Sequence, residues 1–137
     1  MIKSVDIDSS LIKDGDLLLI RRYDGIEPML MVATGSHVGH MAMTLWENNT
    51  LWVVEAQSAL YFGSQKQGIQ RNKYADWLRF AQNAEYEVVW LPMREDVRNS
   101  SFNATKAWNF FKRVEGDPYG HDKAVFAWID TESENFF

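Results

Sequence analysis

Apolar and polar positions alternate along this chain in two distinct periods, and the switches between them mark its elements. Leu17-Leu18-Leu19-Ile20 is a short apolar run bounded by the turn Asp14-Gly15-Asp16 and by Arg21-Arg22, which reads as a buried strand leaving the core. From Val38, alternation through Met41, Met43 and Leu45 predicts a second strand. Asn48-Asn49 supplies the turn, and Leu51-Trp52-Val53-Val54-Glu55-Ala56 returns as the hairpin partner. Further strands are predicted over Ile69 to Arg71 and over Glu87 to Leu91, the latter stopped by Pro92.

The helical period appears in the segments between. A short helix through Met29, Leu30, Met31 and Val32 has Pro28 in its first turn and Gly35 as its stop. A second, starting at about Lys73, brings Tyr74, Trp77, Leu78 and Ala81 to one face. A third runs from Phe102 to Val114, with Ala107, Phe110, Phe111 and Val114 sharing a face and Gly116 as cap. The segment before Lys13 reads as an arm or short helix, the stretch around Gly63 and Gly68 as irregular, and Ala124 to Ile129 as a last short helix. Hairpins interrupted by helices, with no repeat or flexible linker, predict one α+β domain over residues 1–137 with a mostly antiparallel sheet.

Composition narrows the chemistry. The 137 residues hold 14 basic and 19 acidic side chains, a formal charge of −5, which disfavours phosphate backbones and therefore nucleic acid as a partner. Hydrophobic residues make up 46 % and aromatics 14 %, enough bulk for a packed core. The apolar run Met29 to Ala33 is far short of the ~20 residues of a membrane span, and no signal-peptide layout appears before Ser10. Three sequons, at Asn48, Asn99 and Asn103, would be surface acceptors on a secretory route and leave the compartment open. The chain has no cysteine, so neither a disulfide, a thiolate metal site nor a cysteine nucleophile is contained in it.

Histidine titrates nearest neutrality, which makes His37, His40 and His121 the first candidates for proton transfer. On the strand after Gly39, His40, Ala42 and Thr44 point one way and Met41, Met43 and Leu45 the other. With Asn48-Asn49 as the turn, His40 lies nearly opposite position 57 and Glu55 nearly opposite position 42. His40 and Glu55 are thus diagonal neighbours with the same facing, close enough for a hydrogen bond. A carboxylate there can hold one imidazole nitrogen and leave the other to act, the relation of a base to its orienting group.

The residue pattern alone leaves plainer readings open: a solvated edge carboxylate at Glu55 with a structural histidine at His40, or a metal pair His37-x-x-His40, which lacks an evident third ligand. Arg21-Arg22 reads as a solvated strand end and His121 as a helix cap. The helix Trp and Phe residues read as core, and Ser36, Ser58 and Ser64 as loop hydroxyls outside any nucleophile elbow. No cofactor is indicated.

Taken in order, Gly15-Asp16-Leu17-Leu18-Leu19-Ile20, Ser36-His37-Val38-Gly39-His40-Met41-Ala42-Met43, Leu51-Trp52-Val53-Val54-Glu55-Ala56, Gly116-Asp117-Pro118-Tyr119 and the aromatic run Phe126-Ala127-Trp128 resemble the circularly permuted NlpC-type papain-like hydrolases, especially the YiiX-like group. The resemblance spans nearly the whole chain through order and spacing rather than through any one motif. It implies a permuted papain-like domain, a small antiparallel sheet or half-barrel packed with helices. His40 is then the catalytic base and Glu55 its orienting residue, acting on an amide or ester of a peptide or lipid-like substrate.

The chain departs from that pattern at Gly120-His121, where the family has an acid, and in the missing cysteine, which the family places on a helix downstream of the position of Trp128. Three explanations follow: a chain cut short before that helix, which the terminal aromatics Phe136 and Phe137 favour; a nucleophile replaced near Asn135, leaving a non-catalytic binding or structural module; or a hydroxyl in its place, which would need a stronger base and an oxyanion hole. On each of the first two, these residues by themselves are expected to be inert.

Overall fold

The computed structural model describes residues 7–23, 27–57 and 68–120. A short 3-10 turn at Ser9–Leu11 leads into β1 (Leu17–Arg21), α1 (Glu27–Thr34), β2 (His40–Glu47), β3 (Thr50–Gln57), β4 (Gly68–Lys73), α2 (Tyr74–Asn83), β5 (Glu87–Leu91), α3 (Glu95–Ser100) and α4 (Ala104–Val114). The five strands form one sheet in the order β4-β3-β2-β1-β5, every neighbouring pair antiparallel. The architecture is therefore α+β. The irregular stretch expected near Gly63, the helix expected over Ala124–Ile129, and Ser58, Ser64 and His121 lie outside the described residues.

The central hairpin owes its register to its turn. Asn48 and Asn49 both take positive φ, 49° and 58°, the backbone of the two-residue turn whose twist matches that of the flanking strands. Pairing then runs from Glu47 opposite Thr50 up to Met43 opposite Val54, the register expected from the sequence. Because strand side chains alternate, the sheet carries two cores. Leu18, Ile20, Ala42, Leu51 and Val53 on one face pack with Tyr74, Trp77, Leu78 and Ala81 of α2. Leu45 and Val54 on the other pack with Trp108 and Phe111 of α4. All four α2 residues expected on the core face are buried.

The third predicted helix needs correction. It does not run from Phe102: α3 and α4 are separate, and Asn103 caps α4 by accepting from the Lys106 N–H at 2.8 Å. Phe110, expected on the buried face, is 59 % exposed with Arg113 over its ring. Trp108 takes its place in the core and donates its indole N–H to the Trp46 carbonyl at 2.8 Å. Trp108 and Phe111 are the buried residues of α4, with Ala107 packed beside them, and Phe110 lies about 160° round the helix from Trp108 at 3.6 residues per turn. Beyond α4 the chain turns back onto the outer edge of β4, where Ile69 and Asp117 share a backbone hydrogen bond and Gly116 donates to Ile69. A Cβ on Gly68 would lie 2.0 Å from the Asp117 carbonyl oxygen, so this edge closes only over glycine.

Asp16, expected only as part of a turn, is a buried hub. Its carboxylate accepts from the Lys13 and Met93 backbone N–H groups and the Trp90 indole, each at 2.9 Å, and from the Arg98 guanidinium. Arg98 also donates to the Asp14 carbonyl, while the Gly15 N–H donates to the Thr44 carbonyl and the Thr44 N–H donates back to the Asp16 carbonyl, joining this turn to β2. One carboxylate thus ties β1 to β5 and α3. Burial works to raise its pKa, but these hydrogen bonds outweigh that effect and hold the Asp16 carboxyl below the ordinary aspartate value.

Asp16→Ala strands four donors and is expected to cost about 3–5 kcal/mol in urea unfolding, the range for breaking a buried ion pair from one side. Because the folded carboxyl lies below its unfolded value of about 3.9, its contribution is complete above that pH and is lost as pH falls through the folded value. Acid titration of stability is therefore expected to fall more steeply below about pH 4 in the native chain than in Asp16→Asn, which has no carboxylate to protonate.

Candidate functional site

One end of the sheet face that packs on α2 is polar, and the strand pairings explain why these groups meet there. His40 opens β2 opposite Ile20 of β1, and Gly39 just before it donates its N–H to the Ile20 carbonyl. Glu55 lies on β3, opposite Gln70 of β4. β4 passes directly into α2, with Lys73 as the junction, so the helix folds back across this face and brings Trp77 onto Glu55.

Glu55 is bonded at both oxygens. His40 Nε2 lies 2.9 Å from Oε2, and the Trp77 indole Nε1 donates to Oε1 at 3.0 Å. The Glu55 side chain is 1 % exposed and that of His40 11 %, so the solvated-edge reading of Glu55 does not describe this structure. As a carboxylate Glu55 only accepts, so the neutral imidazole bonded to it carries its proton on Nε2 and its lone pair on Nδ1. Such a pair can take a proton at Nδ1 while Glu55 stabilises the resulting imidazolium.

Beside this pair lies a second buried group that the strand-end reading of Arg21-Arg22 missed. Arg21 is partly solvated and reaches Glu87 at 3.4 Å, as a strand end does. Arg22 is the correction: it is 1 % exposed and bonds Glu27 of α1 at 2.6 Å and Gln57 of β3 at 3.3 Å, with its guanidinium 5.4 Å from the Tyr86 ring. A buried cation needs a counter-charge, and Glu27, itself 1 % exposed, provides it from the first turn of the next helix. That link holds α1 against the approach to His40. A Cβ on Gly39 would lie 2.7 Å from Glu27 Cβ and Cγ, so glycine is what lets the two segments touch.

Of the other candidates, His37 is exposed on the loop before β2, and Ser36 is engaged with the Val38 backbone, accepting from its N–H at 3.0 Å. Among the described residues no three His, Asp or Glu side chains converge as a metal site would require. No described helix is long and apolar enough to cross a membrane. Trp77 and Arg22 escaped the sequence reading for different reasons. Trp77 has the helical spacing of a core residue and is one, and its only distinguishing signal is that a buried indole N–H must find an acceptor. Arg22 sits two positions beyond Ile20, which places it on the buried face in period two, but a charged side chain at a strand end is normally solvated.

Compared with family models, with curated proteins and with solved structures, the chain matches none.

Removing one member of the buried ion pair should be far worse than removing both. Arg22→Ala is expected to cost about 3–5 kcal/mol, whereas Arg22→Met with Glu27→Leu, which fills the space with apolar atoms, recovers most of that loss in denaturant unfolding.

Proposed function

We propose that this chain carries the general-base half of a permuted papain-like, NlpC-type acyl-transfer site, with His40 as the base and Glu55 as the residue that orients it. The observation that carries the reading is the buried bond from His40 Nε2 to Glu55, which directs the ring's lone pair to Nδ1. The order of the sequence motifs supports it independently.

The reaction class is attack on an amide or ester carbonyl. His40 Nδ1 takes the proton of the attacking thiol, the thiolate adds to the carbonyl carbon, and the imidazolium returns that proton to the leaving amine or alcohol. The thiol has to come from outside these 137 residues, which contain no cysteine. Peptide and lipid acyl bonds present the same carbonyl chemistry to this pair. The absence of cysteine also favours a second reading, a binding or structural module that retains the fold without turnover.

A small thiol added in trans separates the two. With 2-mercaptoethanol as nucleophile and a p-nitrophenyl ester as acyl donor, the chain is expected to accelerate thiolysis over buffer. His40→Ala abolishes that excess and Glu55→Ala reduces it. A positioned base supplies about 10²–10⁴-fold, and an untethered thiol is expected to show the low end. Thiolysis with the same rate in wild type and His40→Ala would overturn the base assignment and leave the module.

A further inference from the structure

The His40–Glu55 pair has a third member whose chemistry constrains the other two. Trp77 is 6 % exposed, sits on α2 rather than on the sheet, and donates its indole N–H to the Glu55 oxygen that His40 does not use. An indole nitrogen is a donor only, and its hydrogen cannot move to another atom, whereas imidazole exchanges tautomers freely. The three groups therefore form a chain with a donor at each end and a carboxylate that accepts at both oxygens between them. Trp77 occupies Oε1, and the carboxylate accepts from His40 at Oε2, so His40 carries its proton on Nε2.

From this we propose that Trp77 is a positioning residue that makes position 55 selective for a carboxylate: only a side chain that accepts at both ends satisfies the Trp77 N–H and still holds His40 in the tautomer with its lone pair on Nδ1. With glutamine at position 55, the single side-chain oxygen is claimed by the Trp77 N–H, because turning the amide the other way would oppose two donors in a buried site. The amide NH₂ then faces His40 Nε2, which has to accept, and the proton moves to Nδ1. A substitution of nearly identical shape thus inverts the base while leaving the packing in place. The use of the tautomer in acyl transfer rests on the function proposed above; the tautomer itself does not.

The test is the ¹⁵N spectrum of the His40 ring, recorded in the full chain where the imidazole is neutral. The native chain is expected to carry its proton on Nε2 and Glu55→Gln on Nδ1. Trp77→Phe alone is expected to leave the proton on Nε2, since the carboxylate still accepts there. The decisive protein is Glu55→Gln with Trp77→Phe: without the indole donor the amide is released to turn its oxygen to His40, and the proton returns to Nε2.

Glu55→Gln keeping the native tautomer, or the double variant failing to restore it, overturns the proposal. A measurement on the unmutated chain stands whatever the stability of the variants: the Trp77 indole N–H is expected to exchange with solvent far more slowly than an exposed indole, and exchange at the exposed rate overturns the clamp. Failure of the thiolysis assay with these tautomers intact would instead remove the acyl-transfer reading and leave the positioning role of Trp77 standing.

Discussion

The register of the β2–β3 hairpin is the constraint on which the rest of the molecule depends. Side chains on a strand change face at every residue, so a slip of one position would send Glu55 and Val53 to the α4 side and bring Val54 and Ala56 against α2. The carboxylate would then lose both His40 and Trp77, and the two cores would exchange their apolar surfaces for polar ones. The turn prevents this locally, because Asn48 and Asn49 accept the positive φ values that a two-residue connection of matching twist demands. The apolar pattern prevents it globally, because only this register buries Leu51 and Val53 on one face while Leu45 and Val54 are buried on the other.

Polar burial follows a consistent logic on this scaffold. Asp16, Glu55 and Arg22 are each almost inaccessible, and each is bonded to groups from more than one element. Asp16 ties the turn before β1 to β5 and α3, Glu55 links β2, β3 and α2, and Arg22 links β1, α1 and β3. An unpaired buried charge is costly, so each of these groups disfavours any packing that would separate its partners. In that sense they specify which arrangement of apolar elements is adopted, a role that hydrophobic contacts, being non-directional, fill less well.

The face occupied by α4 solves a different problem with charges at its solvent edge. Arg71 of β4 lies over Trp52 and near Trp108, with its guanidinium bonded to Glu47 and Glu115. Lys112 of α4 joins the same cluster through Glu47, and this pairing holds the Glu47 carboxyl below its ordinary value. Ionic contacts this close to solvent contribute little individually. Their effect is to cover the aromatic seam where the helix meets the sheet with the alkyl stems and guanidinium planes of basic residues.

Much of the scaffold was legible in the sequence: the strands, the α+β class, the hairpin with its turn, the buried stripe of α2, and the shared facing of His40 and Glu55. Periodicity and turn chemistry are local properties, and a diagonal relation across a two-residue turn follows from them by counting. The boundary between α3 and α4, the outward position of Phe110 and the burial of Arg22 were not legible, since each depends on which neighbours arrive from distant segments. The same holds for Asp16, which is a turn residue by its local surroundings and a hub only because β5 and α3 close over it. Local spacing therefore settles which side chains share a face. The burial of Glu55, the Trp77 bond that completes its hydrogen bonding and the neutralisation of Arg22 by Glu27 follow from long-range packing, because desolvation and directional bonding exist only once elements remote in the chain have come together.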